Sequence, residues 1–334
     1  MSSKVDFHMK TRRFGKTNAM ISEIGLGTWQ LGSKWGEPFC AEEAQKILDA
    51  AYDSGITFLD TADIYNDGNS ELAISKILKA HPDHFFVTTK IGRGLNPHTA
   101  EGYNKESVVR FTDGSLSRLG VEKLDLVLLH CPPTSVYQKD EVFDALENLK
   151  TAGKIAHYGI SIEKVSEGIA AMEYDISAME VIFNMFRQKP IEELFPIAQK
   201  KDVCIIARVP LASGLLTGKF TKDTVFGKND HRFYNRNGEA FDKGETFSGV
   251  DYELGLTAVA ELKALLGTEN LIPYALRWIL MHDAVSVVIP GASKTAQVLQ
   301  NVKAAELPDL TPEQMAGVKA IYDKYIRPTV HHLW

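Results

Sequence analysis

The feature that most restricts this chain is an eightfold alternation of short β-rich runs with helical patterns, from about residue 22 to residue 305. The runs are Glu23–Thr28, Thr57–Ala62, Phe85–Lys90, Asp125–His130, His157–Ser161, Met179–Asn184, Cys204–Val209 and Val285–Pro290. They are nearly continuous in apolar residues, the pattern of parallel strands buried on both faces. Between them, Ala44, Ile47, Leu48, Ala51 and Tyr52 keep the i, i+3, i+4 stripe of a one-faced helix. Val142, Ala145, Leu146 and Leu149 repeat that stripe, and Gly55, Gly120 and Gly153 stand where such helices stop. Eight strand–helix repeats predict an α/β fold of the (β/α)8 TIM-barrel type, since a doubly wound sheet has about five or six strands.

Three segments fall outside the repeat. Met9–Thr17, with Gly15 at a turn, reads as an N-terminal β-hairpin. Residues 213–253, Gly-rich and charged, form a loop after the seventh strand that is too long for a routine connection and unsuited to a packed core. An extra C-terminal helix opens at Thr311–Pro312, with Gln314 in capping-box position, and an Arg327–Trp334 tail follows. The 334 residues could make two domains, but single barrels commonly exceed about 250 residues and no linker divides the chain. Residues 1–334 therefore read as one domain.

A formal charge of −6 with no Lys/Arg-rich block gives little support to a nucleic-acid or anionic-membrane partner, and neither is expected. No apolar stretch approaches the roughly 18 residues needed to span a bilayer, and the N-terminus lacks the apolar region of a secretory signal. Cys40, Cys131 and Cys204 are scattered and odd in number, so no disulfide framework is expected, and the cytoplasm is the expected location. His331-His332 is too short to hold an ion and nothing else has ligand spacing, so no metal is expected.

In a barrel the C-terminal strand ends share one rim, where functional residues gather. The last polar residues of three neighbouring strands are Asp60, Lys90 and His130, and Tyr65 follows Asp60 by five positions. Taken singly, a strand-end Asp is ordinarily a cap, and a lone Lys or His a structural ion pair or a satisfied imidazole. Together, one acid, one base, one phenol and one imidazole converge on the rim, a set that can polarise a carbonyl oxygen and give it a proton. A phenol, pKa about 10, donates well near neutrality when an ammonium lowers its pKa. Lys90 can do so, Asp60 can keep Lys90 charged, and a neutral His130 can polarise the carbonyl oxygen.

Asp60, Tyr65, Lys90 and His130, within L-D-T-A-x-x-Y, T-K and L-L-H, resemble the catalytic tetrad of the aldo-keto reductase superfamily. Further matches run from Gly25–Gly32 through Pro210–Phe220 to Ile289–Lys294 and Asn301, so the resemblance spans nearly the whole chain. Asn229–Gly249 resembles the bacterial branch more than the mammalian aldose reductases.

The resemblance implies NADPH as cofactor and a small carbonyl compound as substrate. Gly25-Leu26-Gly27 lacks the third glycine of a dinucleotide fingerprint, Gln30 standing there, so a Rossmann site is not expected. Instead, Gly291, Ser293 and Lys294 open a helix whose N–H groups suit a phosphate, by resemblance the 2′-phosphate of the cofactor, with Asn301 on the adenine and Gln297 and Gln300 as further cofactor contacts. Gly27, Thr28, Trp29 and Asp60 follow from the resemblance as further cofactor contacts, together with Ser161, Glu180, Arg208, Pro210, Leu211, Ser213, Gly214 and Lys219. Four positions depart from the commoner family pattern. Ile162 follows Ser161 where Asn is usual, Glu180 replaces a carboxamide-binding Gln, Arg208 replaces a stacking aromatic, and Gln297 replaces a phosphate-gripping Arg.

Substrate specificity is expected from Trp29, Trp35, the Cys131–Asp140 loop, residues 213–253 and the Arg327–Trp334 tail. Cys131, beside His130 but with no base placed for it, reads as a bystander. Two other readings share the fold. One is a nucleotide-sensing regulatory subunit resembling potassium-channel β subunits, against which the absence of an extended N-terminal inactivation peptide weighs. The other is a dehydratase or isomerase built on the same rim. Substrate identity, favoured direction and self-association are left open by the sequence.

Overall fold

The computed structural model describes residues 9–33 and 36–334. Strands β1 (Thr11–Arg13) and β2 (Met20–Ser22) form the expected hairpin, antiparallel with Arg12 opposite Ile21. It reaches further than Met9–Thr17, because a 3-10 turn at Gly15–Thr17 and left-handed Asn18 must reverse the chain first. Gly15 has φ +45° and a side chain there would strike Cys204 Sγ at 2.6 Å, so only glycine fits.

The barrel strands are β3 (Leu26–Gly27), β4 (Phe58–Asp60), β5 (Phe86–Ile91), β6 (Leu124–His130), β7 (Ile155–Ile162), β8 (Ala178–Ile182), β9 (Cys204–Arg208) and β10 (Val285–Val288). Each pairs in parallel with the next. The ring closes through parallel bridges Ile24–Val288 and Gly27–Gly291, with Gly25 N–H donating to Val288 O at 2.9 Å. The predicted first strand, Glu23–Thr28, thus shrinks to two paired residues flanked by bridges.

The connecting helices are α1 (Ala41–Asp53), α2 (Asn69–Ala80), α3 (Lys105–Leu119), α4 (Asp140–Thr151), α5 (Val165–Ala171), α6 (Lys189–Glu193) and α7 (Phe195–Lys200). A four-residue α8 (His231–Tyr234) sits in the long loop after β9, followed by α9 (Tyr252–Leu266), α10 (Ile272–Leu280), α11 (Thr295–Val302), α12 (Pro312–Ile321) and α13 (Arg327–Val330). The repeat is uneven after β8, where two short helices replace one. Thr311 caps α12 with Gln314 in a capping box, as expected.

The strand pleat divides the core in two. Outward residues such as Leu59, Val127, Ile160 and Ile205 pack against the helices. Inward residues Phe58, Leu126, Leu128, Ala178, Ile206 and Val287 fill the barrel, and Phe14 and Ile21 from the hairpin join that cluster. Towards the C-terminal ends the inward positions become polar: Asp60, Lys90, His130, Ser161, Glu180 and Arg208. The apolar fill supports a floor of charged groups. No helix among the described residues is long and apolar enough to cross a membrane.

The loop after β9 is better packed than its composition suggests. Phe226, Phe247 and Val250 belong to the main core cluster, and Asn235 and Ser248 are fully buried. Asn184 Nδ2 donates to both Ser248 Oγ and Val209 O at 2.9 Å, tying the loop to the barrel.

Candidate active site

Register brings the tetrad together. Asp60 on β4 lies opposite Thr88 on β5, and Lys90, two positions on, points to the same inner face. Lys90 Nζ donates to Asp60 Oδ1 and Oδ2 at 2.6 and 2.7 Å, to Thr61 O at 3.2 Å and to Tyr65 Oη at 3.2 Å. Because the ammonium donates to the phenol oxygen, the phenol hydrogen is left for the cavity. His130, from the end of β6, sets its ring edge-on to Tyr65 with centroids 5.8 Å apart.

The electrostatics follow from burial. Burial alone would lower the Lys90 pKa, but Asp60 and Glu180 outweigh it and hold the ammonium above the usual lysine range. Burial, with Lys90, Arg93 and Arg208 adding to it, drives His130 well below the usual histidine range, so the imidazole is neutral. Tyr65 differs from the sequence expectation. Burial pushes the phenol up, Lys90 pulls it down, and Asp60 and Glu180 push it up again, leaving it above its ordinary value. The ammonium was expected to lower it, but burial and two carboxylates prevail.

Tyr65 and His130 open on a cavity of about 570 Å³, within the roughly 300–1,000 Å³ of small-molecule sites. Asp60, Ser161, Glu180, Arg208, Pro210, Leu211, Ser213, Gly214 and Lys219 line it, with Gly27 and Trp29. Gly291, Gln297, Gln300 and Asn301 line its far part. Lys90 lies behind Asp60 and Tyr65. Three expected cofactor contacts, Thr28, Ser293 and Lys294, are not on the cavity wall. Thr28 is buried, its hydroxyl donating to Asp60 O at 2.8 Å, so it braces the strand end. At α11, Gln297 Oε1 accepts from Ser293 N–H at 2.7 Å and Lys294 N–H at 3.1 Å. The helix N-terminal donors expected for a phosphate are thus engaged by the side chain that replaces the usual Arg. Ser213 Oγ donates to Glu245 O at 2.8 Å, committing it to the long loop.

The long loop also contributes residues that the sequence did not single out. Arg232, Phe241 and Glu245 line the cavity, as does Arg93 from the loop after β5. Arg208 Nη1 donates to Glu245 Oε1 at 2.5 Å and Nη2 to Ile162 O at 3.1 Å. No periodicity marks Glu245, because its part in the site depends on how the loop folds back. Burial pushes the Cys131 thiol up to about 12, in keeping with a bystander. Cys131, Glu163 and Glu245 bring ligand atoms within 4.8 Å of one another, but Arg208 engages two of the three. Trp35 lies outside the described residues. Trp334 is buried against the Arg187 guanidinium, 3.8 Å from its ring centroid, rather than on the cavity wall.

The structure is a closed parallel barrel of the TIM class with a lysine-backed phenol at its C-terminal rim. The chain belongs to the aldo/keto reductase family, whose model matches residues 23–323, and to its bacterial-type branch. It is similar to the holo form of aldo-keto reductase AKR11C1 from Bacillus halodurans, with 29% identity and a TM-score of 0.75, covering 94% of this chain and 96% of that one. An aldo-keto reductase from Klebsiella pneumoniae, solved in complex with NADPH, is 25% identical with a TM-score of 0.68, covering 94% and 95%. A putative voltage-gated potassium channel subunit beta from Schizosaccharomyces pombe is 29% identical over 93% of this chain and 92% of its own length.

Proposed function

We propose that the protein is an NADP-dependent reductase of aldehydes or ketones, reversible with the alcohol, in which Tyr65 is the proton donor. The observation that carries this reading is the hydrogen bond from Lys90 Nζ to Tyr65 Oη, with Asp60 behind the ammonium and a neutral His130 beside the phenol. The NADPH-bound Klebsiella relative supports the choice of cofactor.

The residues fit such a cofactor. Buried Glu180 Oε2 and Arg208 Nε have no hydrogen-bond partner among the described residues, and both side chains line the same cavity as Ser161. These three would hold the nicotinamide, and Gly291, Gln300 and Asn301 the adenine half. When bound, NADPH supplies the hydride that reaches the carbonyl carbon. Tyr65 gives its proton to the carbonyl oxygen, balancing the charge. Lys90 offsets the negative charge left on the phenol. His130, neutral, is placed to polarise and orient the same oxygen.

Oxidation of NADPH and NADH is screened against aldehydes, ketones, quinones and sugars. Carbonyl-dependent NADPH oxidation that is lost in Tyr65→Phe is the expected result. Tight NADPH binding with no turnover on any carbonyl would favour the regulatory-subunit reading, for which the potassium-channel-type relative speaks.

A further inference from the structure

Five side chains of alternating charge run from the tetrad to the long loop: Asp60, Lys90, Glu180, Arg208 and Glu245. Lys90 Nζ is 2.6 Å from Asp60 and 3.3 Å from Glu180 Oε2, Arg208 Nε is 3.8 Å from Glu180 Oε1, and Arg208 Nη1 is 2.5 Å from Glu245. The spacing is uneven, and that matters. Arg208 commits Nη1 to Glu245 and Nη2 to Ile162 O, leaving Nε without a hydrogen bond. Glu180, only 1% exposed, therefore leans on Lys90. This is the ammonium that donates to Tyr65.

The geometry points to Glu180 as a positioning residue that competes with the Tyr65 phenol oxygen for the charge of Lys90, standing 3.3 Å from the same Nζ that lies 3.2 Å from the phenol oxygen. The inference rests on Tyr65 being the proton donor. Burial and then Glu180 push the Asp60 carboxyl well above its ordinary range, so the two carboxyl groups already compete for one ammonium, and ionising Tyr65 would add further negative charge around it. Facing that site are Asp60 from β4, Lys90 from β5, neutral His130 from β6, Glu180 from β8 and Arg208 from β9, with Arg93 beyond His130. Arg208 offsets Glu180 only in part, because Glu245 holds it. At an effective dielectric of about 20, a unit charge about 6 Å away is worth about two pH units. The consequence is a reduction rate that stays level to unusually high pH.

Two readouts test this on the full chain. Phenolate absorbance is titrated in the wild type and in Glu180→Gln, with the Tyr65 contribution isolated by subtracting Tyr65→Phe in each background. The midpoint is expected to fall by about one unit or more in Glu180→Gln, and by less, in the same direction, in Glu245→Gln, which releases Arg208 towards Glu180. In the second readout, the alkaline fall of reductive kcat/KM moves to lower pH by the same amount. A purely structural lesion would scale that profile without moving it. An unchanged or higher midpoint in Glu180→Gln overturns the inference. The titration needs no turnover. A shifted midpoint in a chain that reduces no carbonyl would show Glu180 acting on the Lys90–Tyr65 pair and sink the reductase reading on which its part in catalysis rests.

Discussion

Glu245, in the long loop, accepts a hydrogen bond from Arg208 at the end of β9, so the cover of the cavity and its floor share one buried ion pair. A ligand in that cavity touches both. Bound NADPH should therefore slow proteolytic cutting within 213–253, where Val225 is 90% exposed and open to a protease. Limited proteolysis with and without saturating NADPH checks this. Equal cutting rates would remove the idea that the segment is a cover.

Tyr65→Phe should nearly abolish carbonyl reduction while leaving NADPH affinity within a few-fold. General acid–base groups contribute roughly 10²–10⁴-fold to rate, and the missing hydroxyl serves the substrate oxygen. Steady-state kinetics and cofactor titration read the two effects separately. A variant keeping more than about a third of wild-type kcat would take Tyr65 out of the chemistry.

The N-terminus of α11 makes a prediction about cofactor choice. Gln297 Oε1 already fills the position facing the Ser293 and Lys294 N–H groups, so a 2′-phosphate must displace it. Gln297→Glu places a charge there, and repulsion of an anion of about −1.5 to −2 should weaken NADPH about tenfold or more. NADH, lacking that phosphate, should bind as before. Lys294→Ala should also weaken NADPH, about ten- to a hundredfold, by losing a charge-assisted bond of about 1.5–3 kcal/mol. Titration of both nucleotides decides. Equal losses for NADPH and NADH would mean that the phosphate is held elsewhere.

Glu163 should make stability fall as pH rises. Burial first, then Asp242 and Glu245, push its carboxyl from 4.5 up to about 7 against the pull of Arg208 and Arg93. The folded state thus holds this proton more tightly than the unfolded chain. The stabilisation is complete below about pH 4.5 and lost as pH rises through about 7. Glu163→Gln removes the titration. Relative to wild type, it should gain about 1–3 kcal/mol in denaturant unfolding between about pH 4 and pH 8. A gap between the two proteins that stays constant with pH would contradict this.

Much of the fold was legible because it rests on local pattern. Apolar runs such as Asp125–His130 and the stripe from Ala44 to Tyr52 carry their periodicity within a dozen residues, and Thr311 and Gln314 form their cap from adjacent positions. Asp60, Lys90 and His130 were legible too, since period-two alternation aims the last polar residue of each strand into one ring. Their direct ion pair and the ring contact with Tyr65 then follow from strand register.

What the sequence could not determine involves residues far apart in the chain. The first strand is shorter than its apolar run because pairing depends on where β10 meets it. The packing of 213–253 depends on Asn184, which reaches it from the end of β8, and on Ser213, which meets Glu245 and Phe247 across the length of the segment. The ionisation of Tyr65 was decided by tertiary structure alone: Lys90 was visible as its partner, but Glu180 and Glu245 were not visible as competitors for positive charge. Burial multiplies each such charge, and burial depends on how all eight strands and the loop close around the site. The sequence by itself determined the barrel and which four polar side chains meet at its rim. Only the closed structure determined how their charges balance, because coulombic energy depends on distance and solvent exclusion rather than on order along the chain.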